Sequence, residues 1–177
     1  MDSLAQRLMD SSTRRDAFEE LVRLYSPQLY QQIRRMVLDH DDTNDVLQNT
    51  FMKAWMGLDN FRGEAAVSSW LFRIAMNESL TFLNKKREQT SLDSEAAVVR
   101  QLESDPWFDG DQLEAELQAA IAQLPEKQRL VFTLRYYDEM KYEEMSRLLD
   151  TSEGALKASY HFAVQKLKEK LSEKFDF

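Results

Sequence analysis

Cysteine is absent from this 177-residue chain, which excludes disulfides and thiolate metal sites. Histidine is nearly absent too: the two present, His40 and His161, lie too far apart in sequence to form a local metal motif. No apolar run approaches the length of about 18 residues that a membrane span requires. The opening residues Met1-Asp2-Ser3-Leu4 lack the basic-then-apolar order of a secretion signal. Together these absences lead us to expect a soluble, cytoplasmic protein without direct membrane insertion. Glycine and proline are scarce as well, at four and three residues. There is no glycine-rich phosphate loop and no Cys, His or Ser constellation for nucleophilic chemistry. The expectation is a protein that is not an enzyme and holds no cofactor and no metal.

What is present is apolar content at helical spacing. Hydrophobic residues make up 43% of the chain, enough for packed cores in one or two domains. With few helix breakers and no period-2 run of strand length, the chain reads as all-α. Arg14 to Tyr25 places Phe18, Leu21, Val22 and Tyr25 on one face. Ser26-Pro27 reads as the start of a second helix, with Pro27 in a favourable first position and Leu29, Ile33 and Val37 facing inward. Asp39-His40-Asp41-Asp42 caps a third helix, whose apolar stripe is Leu47, Phe51, Ala54, Trp55 and Leu58. A fourth helix runs from about Ser68 to Lys86. The stretch from Glu88 to Asp111 has no clear periodicity and reads as a linker, with room for a short helix near Ser94 to Leu102.

Charge is segregated along this order. The net charge is -8, and the segment from Glu88 to Gln118 alone holds nine acids against the single base Arg100, which accounts for all of it. Flanking it are two mildly basic blocks, one containing Arg62, Arg73, Lys85, Lys86 and Arg87, the other Lys157, Lys166, Lys168 and Lys170. An acidic total therefore does not exclude contact with nucleic acid, because phosphate affinity depends on where lysine and arginine sit.

Three surfaces carry chemistry. Near the C-terminus, Leu124-Pro125-Glu126-Lys127-Gln128-Arg129 opens a helix. Tyr142 to Leu149 forms the next, and Asp150-Thr151-Ser152 turns into a third that begins Glu153-Gly154-Ala155-Leu156-Lys157. This is the layout of a helix-turn-helix, whose last helix can enter the major groove. With Ser152 as N-cap, Leu156, Tyr160, Ala163 and Leu167 face the core, and Gly154, Lys157, Ala158, His161, Phe162 and Gln165 face outward. Lys157 and His161 can reach phosphate or base edges. Phe162 either touches a thymine methyl or packs against its own domain. On the fourth helix, Arg73, Asn77, Thr81 and Asn84 form one polar stripe that ends at Lys85 and begins beside a loop with Phe61, Arg62 and Gly63. Amides, a hydroxyl, bases and an aromatic suit an unstacked strand, although any amphipathic helix shows a polar face. The outward face of the third helix, Asp45, Gln48, Asn49, Met52 and Met56, suits a protein partner better than phosphate; ordinary solvated surface is the plain alternative.

Taken together, Asp41 to Trp55, Phe61-Arg62-Gly63-Glu64, Trp70 to Asn77, Leu124 to Arg129 and the helix-turn-helix resemble an extracytoplasmic-function (ECF) sigma factor. The resemblance spans roughly residues 10 to 172. It implies two small helical domains joined by an acidic linker: 1–88 like sigma region 2, 89–112 the linker, and 113–177 like sigma region 4. It also implies bacterial core RNA polymerase and promoter DNA as partners, duplex upstream and non-template single strand downstream, and an anti-sigma factor. On this resemblance Asp45, Gln48, Asn49 and Met52 contact the polymerase. Phe61, Arg62, Arg73, Asn77, Thr81, Asn84 and Lys85 serve the minus-10 element, with strand opening there. Ser152, Glu153, Gly154, Lys157, Ala158 and His161 serve the minus-35 element. Many family members carry arginine where Ser159 and Phe162 stand, so base preference does not transfer. A linker of about 25 residues at about 3.3 Å each reaches roughly 80 Å when extended, against about 70 Å between DNA elements two turns apart. A conventional helix-turn-helix regulator that binds a palindrome as a dimer, and a scaffold protein that does not touch DNA, are the competing readings.

Overall fold

The computed structural model describes residues 3–89, 95–106 and 108–175; the side chains of residues 87–89 and 95 are outside the description. Nine α-helices and one 3-10 turn are the regular elements among the described residues. They fall into two compact units, Met1–Ser91 and Leu92–Phe177.

The first unit contains α1 (Ser3–Met9), α2 (Arg14–Val37), α3 (His40–Gly57), the 3-10 turn Leu58–Asn60 and α4 (Val67–Gln89). Helices α2, α3 and α4 each pack on the other two, and α1 packs on α2. The expected break at Ser26-Pro27 does not occur: α2 runs unbroken for 24 residues with Pro27 inside it. Pro27 cannot donate to the Arg23 carbonyl, a defect that costs about 3 kcal/mol in an isolated helix. Burial offsets it: Leu21, Leu29, Ile33, Met36 and Val37 on either side of the proline are all buried, while the Ser26 hydroxyl donates to the Val22 carbonyl at 2.5 Å, a back-bond that accommodates bending at the proline. The continuous core face overrides local propensity. Leu38, with φ at 71°, ends the helix in a conformation that leucine rarely adopts. One residue later Asp39 caps α3, its carboxylate accepting from the Asp42 N–H at 2.9 Å.

Of the stripe expected from sequence, Ala54 and Leu58 are buried, whereas Leu47, Phe51 and Trp55 are not. The buried residues of α3 are Thr43, Val46, Thr50 and Ala54. The two hydroxyls are satisfied locally: Thr43 Oγ1 donates to the Asp39 carbonyl at 2.6 Å and Thr50 Oγ1 to the Val46 carbonyl at 2.8 Å, which removes the penalty of burying them. These residues face α2 and α4, on which α3 packs. The larger Phe51 and Trp55 are left toward its flank, and Trp55 is 45% exposed.

The second unit contains α5 (Glu95–Ser104), α6 (Gln112–Ala122), α7 (Glu126–Tyr136), α8 (Tyr142–Leu149) and α9 (Glu153–Lys174). Its core is Ala120, Ile121 and Leu124 against Phe132 of α7 and Ala163 and Leu167 of α9. The short helix expected near Ser94 to Leu102 within the linker is α5, which packs on α6 with Val98, Val99 and Leu102 buried. Spacings of one and three residues put these three side chains on one helical face. The acidic residues around them obscure that short stripe. At ten residues α5 is shorter than the ~12–15 that hold a helix in isolation, so its order depends on α6. The extended reach calculated for the linker therefore does not describe it in this state.

Candidate polymerase and nucleic-acid interfaces

On α3, Asp45, Gln48, Asn49 and Met52 are all exposed. The structure adds neighbours that the sequence reading had placed in the core or left aside. Phe18 of α2 meets Phe51 at 6.5 Å and Trp55 at 5.0 Å, both edge-on. These rings, with Gln48, Met52 and Met56, line an open groove of about 390 Å³. Met52 and Met56 are 56% and 71% exposed at its rim. The signal that could have marked the groove is Met52 and Met56 following Gln48 at helical spacing on the outward face, with Trp55 beside them although spacing alone assigns it to the core stripe. An apolar, methionine-rimmed groove on a rigid helix pair is suited to a protein partner.

On α4, Leu71, Phe72, Ala75, Met76 and Ser79 are buried, which turns Arg73, Asn77, Thr81, Asn84 and Lys85 to solvent, all exposed. Thr81 Oγ1 donates to the Asn77 carbonyl at 2.8 Å, so the hydroxyl keeps acceptor capacity only. Helix α4 is fixed to α3 by Lys53 with Glu78 at 2.5 Å and by Lys86 with Asp42 at 2.9 Å. Lys86 is thereby held in an intramolecular pair, whereas Lys85 faces out. The loop before α4 turns at Gly63, whose φ of 68° favours glycine, and Arg62 is exposed beside it. Phe61 needs correction as a base-stacking candidate. It is only 7% exposed, its ring 4.7 Å from that of Trp70, so it anchors the loop and offers no free face.

In the second unit, α8 and α9 are joined through Asp150, which takes a left-handed conformation at φ 50°, ψ 48°. Aspartate tolerates this region better than most residues. Ser152 caps α9, its hydroxyl accepting from the Ala155 N–H at 3.2 Å. At the start of α8, the Glu144 carboxylate accepts from the Lys141 N–H at 3.2 Å. With Leu156, Ala163 and Leu167 buried, the outward residues Glu153, Gly154, Lys157, Ala158 and His161 are exposed, as expected. A Cβ at Gly154 would meet nothing within 4 Å. Phe162 is 52% exposed, its ring 5.9 Å from that of His161; of the two readings, outward presentation is the one the packing leaves. Tyr160 lies behind, stacked on Phe132 at 5.8 Å. Burial raises its phenol pKa and Tyr142 and Tyr136 add to this, while Arg135 acts the other way.

Known proteins match both units. Residues 21–89 match the family described as Sigma-70 region 2 and residues 114–167 the one described as Sigma-70, region 4. The chain is 30% identical over 167 residues to the ECF RNA polymerase sigma factor SigW of Bacillus subtilis (strain 168), covering 88% of this chain and 89% of that protein. It is 31% identical over 153 residues to the ECF RNA polymerase sigma-E factor of Escherichia coli (strain K12), covering 80% of each. Among solved structures, CnrH in complex with the cytosolic domain of CnrY superposes with a TM-score of 0.71 at 24% identity over 97% of both chains. The sigma factor RpoE in complex with the anti-sigma factor NepR from Bartonella quintana gives 0.67 at 23% identity, covering 88% of this chain and 96% of that one. The chain belongs to the ECF family of RNA polymerase sigma factors, alternative sigma factors that direct promoter-specific transcription.

Proposed function

We propose a division of labour in which residues 1–88 bind core RNA polymerase and open the minus-10 element, 89–112 connect, and 113–177 read the minus-35 element as duplex. In this reading the α3 groove, with Asp45, Gln48, Asn49 and Met52 around it, docks on the polymerase. Arg62, Arg73, Asn77, Thr81, Asn84 and Lys85 follow the non-template strand. Ser152, Glu153, Gly154, Lys157, Ala158 and His161 face the upstream major groove. Unstacking a base costs a few kcal/mol. With Phe61 covered, the Asn77 and Asn84 amides and the adjacent bases supply the offsetting contacts. The role is regulatory, without catalysis of its own, and is exercised in the cytoplasm; among the described residues no helix is long and apolar enough to cross a membrane. An anti-sigma factor is a proposed partner, by analogy with the two structural neighbours solved with such proteins or with a named cytosolic domain.

The observation that carries this reading is the pairing, on one chain, of an apolar groove and an amide-rich polar stripe in the first unit with a helix-turn-helix in the second, whose outward face presents Lys157, His161 and Phe162. The test is reconstitution. The chain should co-purify with core polymerase and support initiation from promoters mapped after forced expression. Asn77→Ala should slow opening on closed templates and be rescued on pre-opened ones. Tight, polymerase-independent binding to a palindromic duplex would instead identify a conventional helix-turn-helix regulator.

A further inference from the structure

Two cations converge on one aromatic ring at the entrance to the recognition helix. The Arg135 guanidinium, in the last turn of α7, lies 5.1 Å from the centroid of Tyr142, and the Lys157 ammonium lies 5.6 Å from the same centroid. Tyr142 is the first residue of α8, so this ring joins α7, α8 and α9 where α9 begins. Arg135 Nη1 also donates to the Met140 carbonyl at 3.2 Å, which holds the arginine to the α7–α8 turn. Lys157 has a weaker tether, since its ion pair with Glu153 is 3.9 Å long and the lysine and glutamate side chains are 60% and 47% exposed. A pair that open to water does little to order a lysine. The ring face attracts cations through its quadrupole and is the rigid element in the group. Two like charges gathered on one ring repel each other, and backbone phosphate binding at either relieves that repulsion.

We propose that Tyr142 is a positioning residue for upstream DNA, its ring holding Arg135 and Lys157 as a paired cation site for backbone phosphate beside the recognition helix. This deepens the minus-35 assignment and rests on it. A phosphate contact carries no base information but fixes register and depth, so the ring governs how α9 is presented to the groove. Arg135 joins the DNA-facing residues although it lies outside the helix-turn-helix segment.

The experiment measures holoenzyme binding to a mapped promoter duplex across a range of salt for Tyr142→Phe, Tyr142→Leu, Tyr142→Met and Lys157→Ala, with helicity checked by circular dichroism. Tyr142→Phe keeps the ring and should stay within about twofold of the parent. Tyr142→Leu and Tyr142→Met should weaken binding by about threefold to tenfold and lower the salt slope by up to about one unit. In an Arg135→Gln, Lys157→Ala background Tyr142→Leu should have no further effect. Equal weakening by Phe and Leu would assign the effect to the hydroxyl and overturn the inference. So would an undiminished Leu effect in the cation-free background, which would mean packing alone. If Lys157→Ala leaves upstream affinity and its salt slope unchanged, the minus-35 assignment itself fails.

Discussion

The α3 groove permits a sharp test of polymerase docking, because its rim methionines contribute little to the fold. Met52 and Met56 are 56% and 71% exposed, so replacing both by glutamine should change stability by no more than about 0.5 kcal/mol each. Full burial of a methionine side chain stabilises by about 1.5–3 kcal/mol. Scaled by the fraction still open to water, docking should draw roughly 1 kcal/mol from Met52 and about 1.5 from Met56. The double variant should therefore bind core polymerase with a Kd raised by something near 50- to 100-fold, at 1.4 kcal/mol per decade. Leu24 on α2 is also 56% exposed but does not line the groove, so Leu24→Gln removes comparable apolar surface from elsewhere and should leave the Kd within about twofold. The assay is competition for core polymerase against a labelled parent chain, beside thermal unfolding of each variant. If the double variant unfolds normally and binds within threefold of the parent, or if Leu24→Gln weakens binding equally, the groove is not the docking surface.

Three further outcomes are expected. Gly154→Ala should stabilise the free chain by up to about 1 kcal/mol, since the helix gains propensity and the added Cβ meets nothing; weaker promoter binding despite a higher Tm would show that DNA approaches closely there. Asp150→Val should destabilise by about 1–2 kcal/mol because a β-branched residue resists the left-handed turn, whereas Asp150→Gly should be neutral or better, as read from chemical denaturation. Leu102→Ser should release α5 from α6 and abolish amide protection over 96–104 while leaving α7–α9 protected; unaltered exchange in α5 would show that its helix does not depend on that contact.

The helical class, the capped start of α3 and the helix-turn-helix were legible because each rests on local chemistry: helical periodicity, Asp39 at an N-cap, Ser152 after a left-handed turn. What escaped depended on partners distant in sequence. Pro27 signals a helix start only when nothing else holds the chain, and here buried residues on both sides carry the helix through it. Phe61 in an exposed-looking loop reads as a stacking ring until Trp70 is seen to cover it. Trp55 fits a core stripe by spacing, but threonines and alanine take the core face and leave it at the groove. The short helix near Ser94 to Leu102 was legible, but its three apolar residues gave no sign that the segment packs on α6, which supplies the opposing face.

Charge decides between a factor that works within the polymerase and a regulator that binds alone. Several lysines that the composition counts as cations are engaged inside the fold: Lys53 with Glu78, Lys86 with Asp42 and Lys174 with Glu116. The candidate DNA faces present Arg62, Arg73, Lys85 and Lys157 to solvent, and these are divided between two elements of the promoter. At about 0.9 in salt slope per duplex phosphate neutralised, and about 0.7 on a single strand, two or three contacts per element give a slope far below that of regulators with about 6–10 contacts. The free chain should accordingly bind promoter duplex weakly, with a log–log salt slope no steeper than about -4.5 even if these four cations and Arg135 all engage. Docking on polymerase would make the two weak contacts intramolecular, so that their affinities reinforce each other through effective concentration. Titration of the free chain and of the holoenzyme against the same duplex at several salt concentrations reads this directly. A slope near -8 for the free chain would mean that it holds DNA autonomously and that binding need not pass through the polymerase.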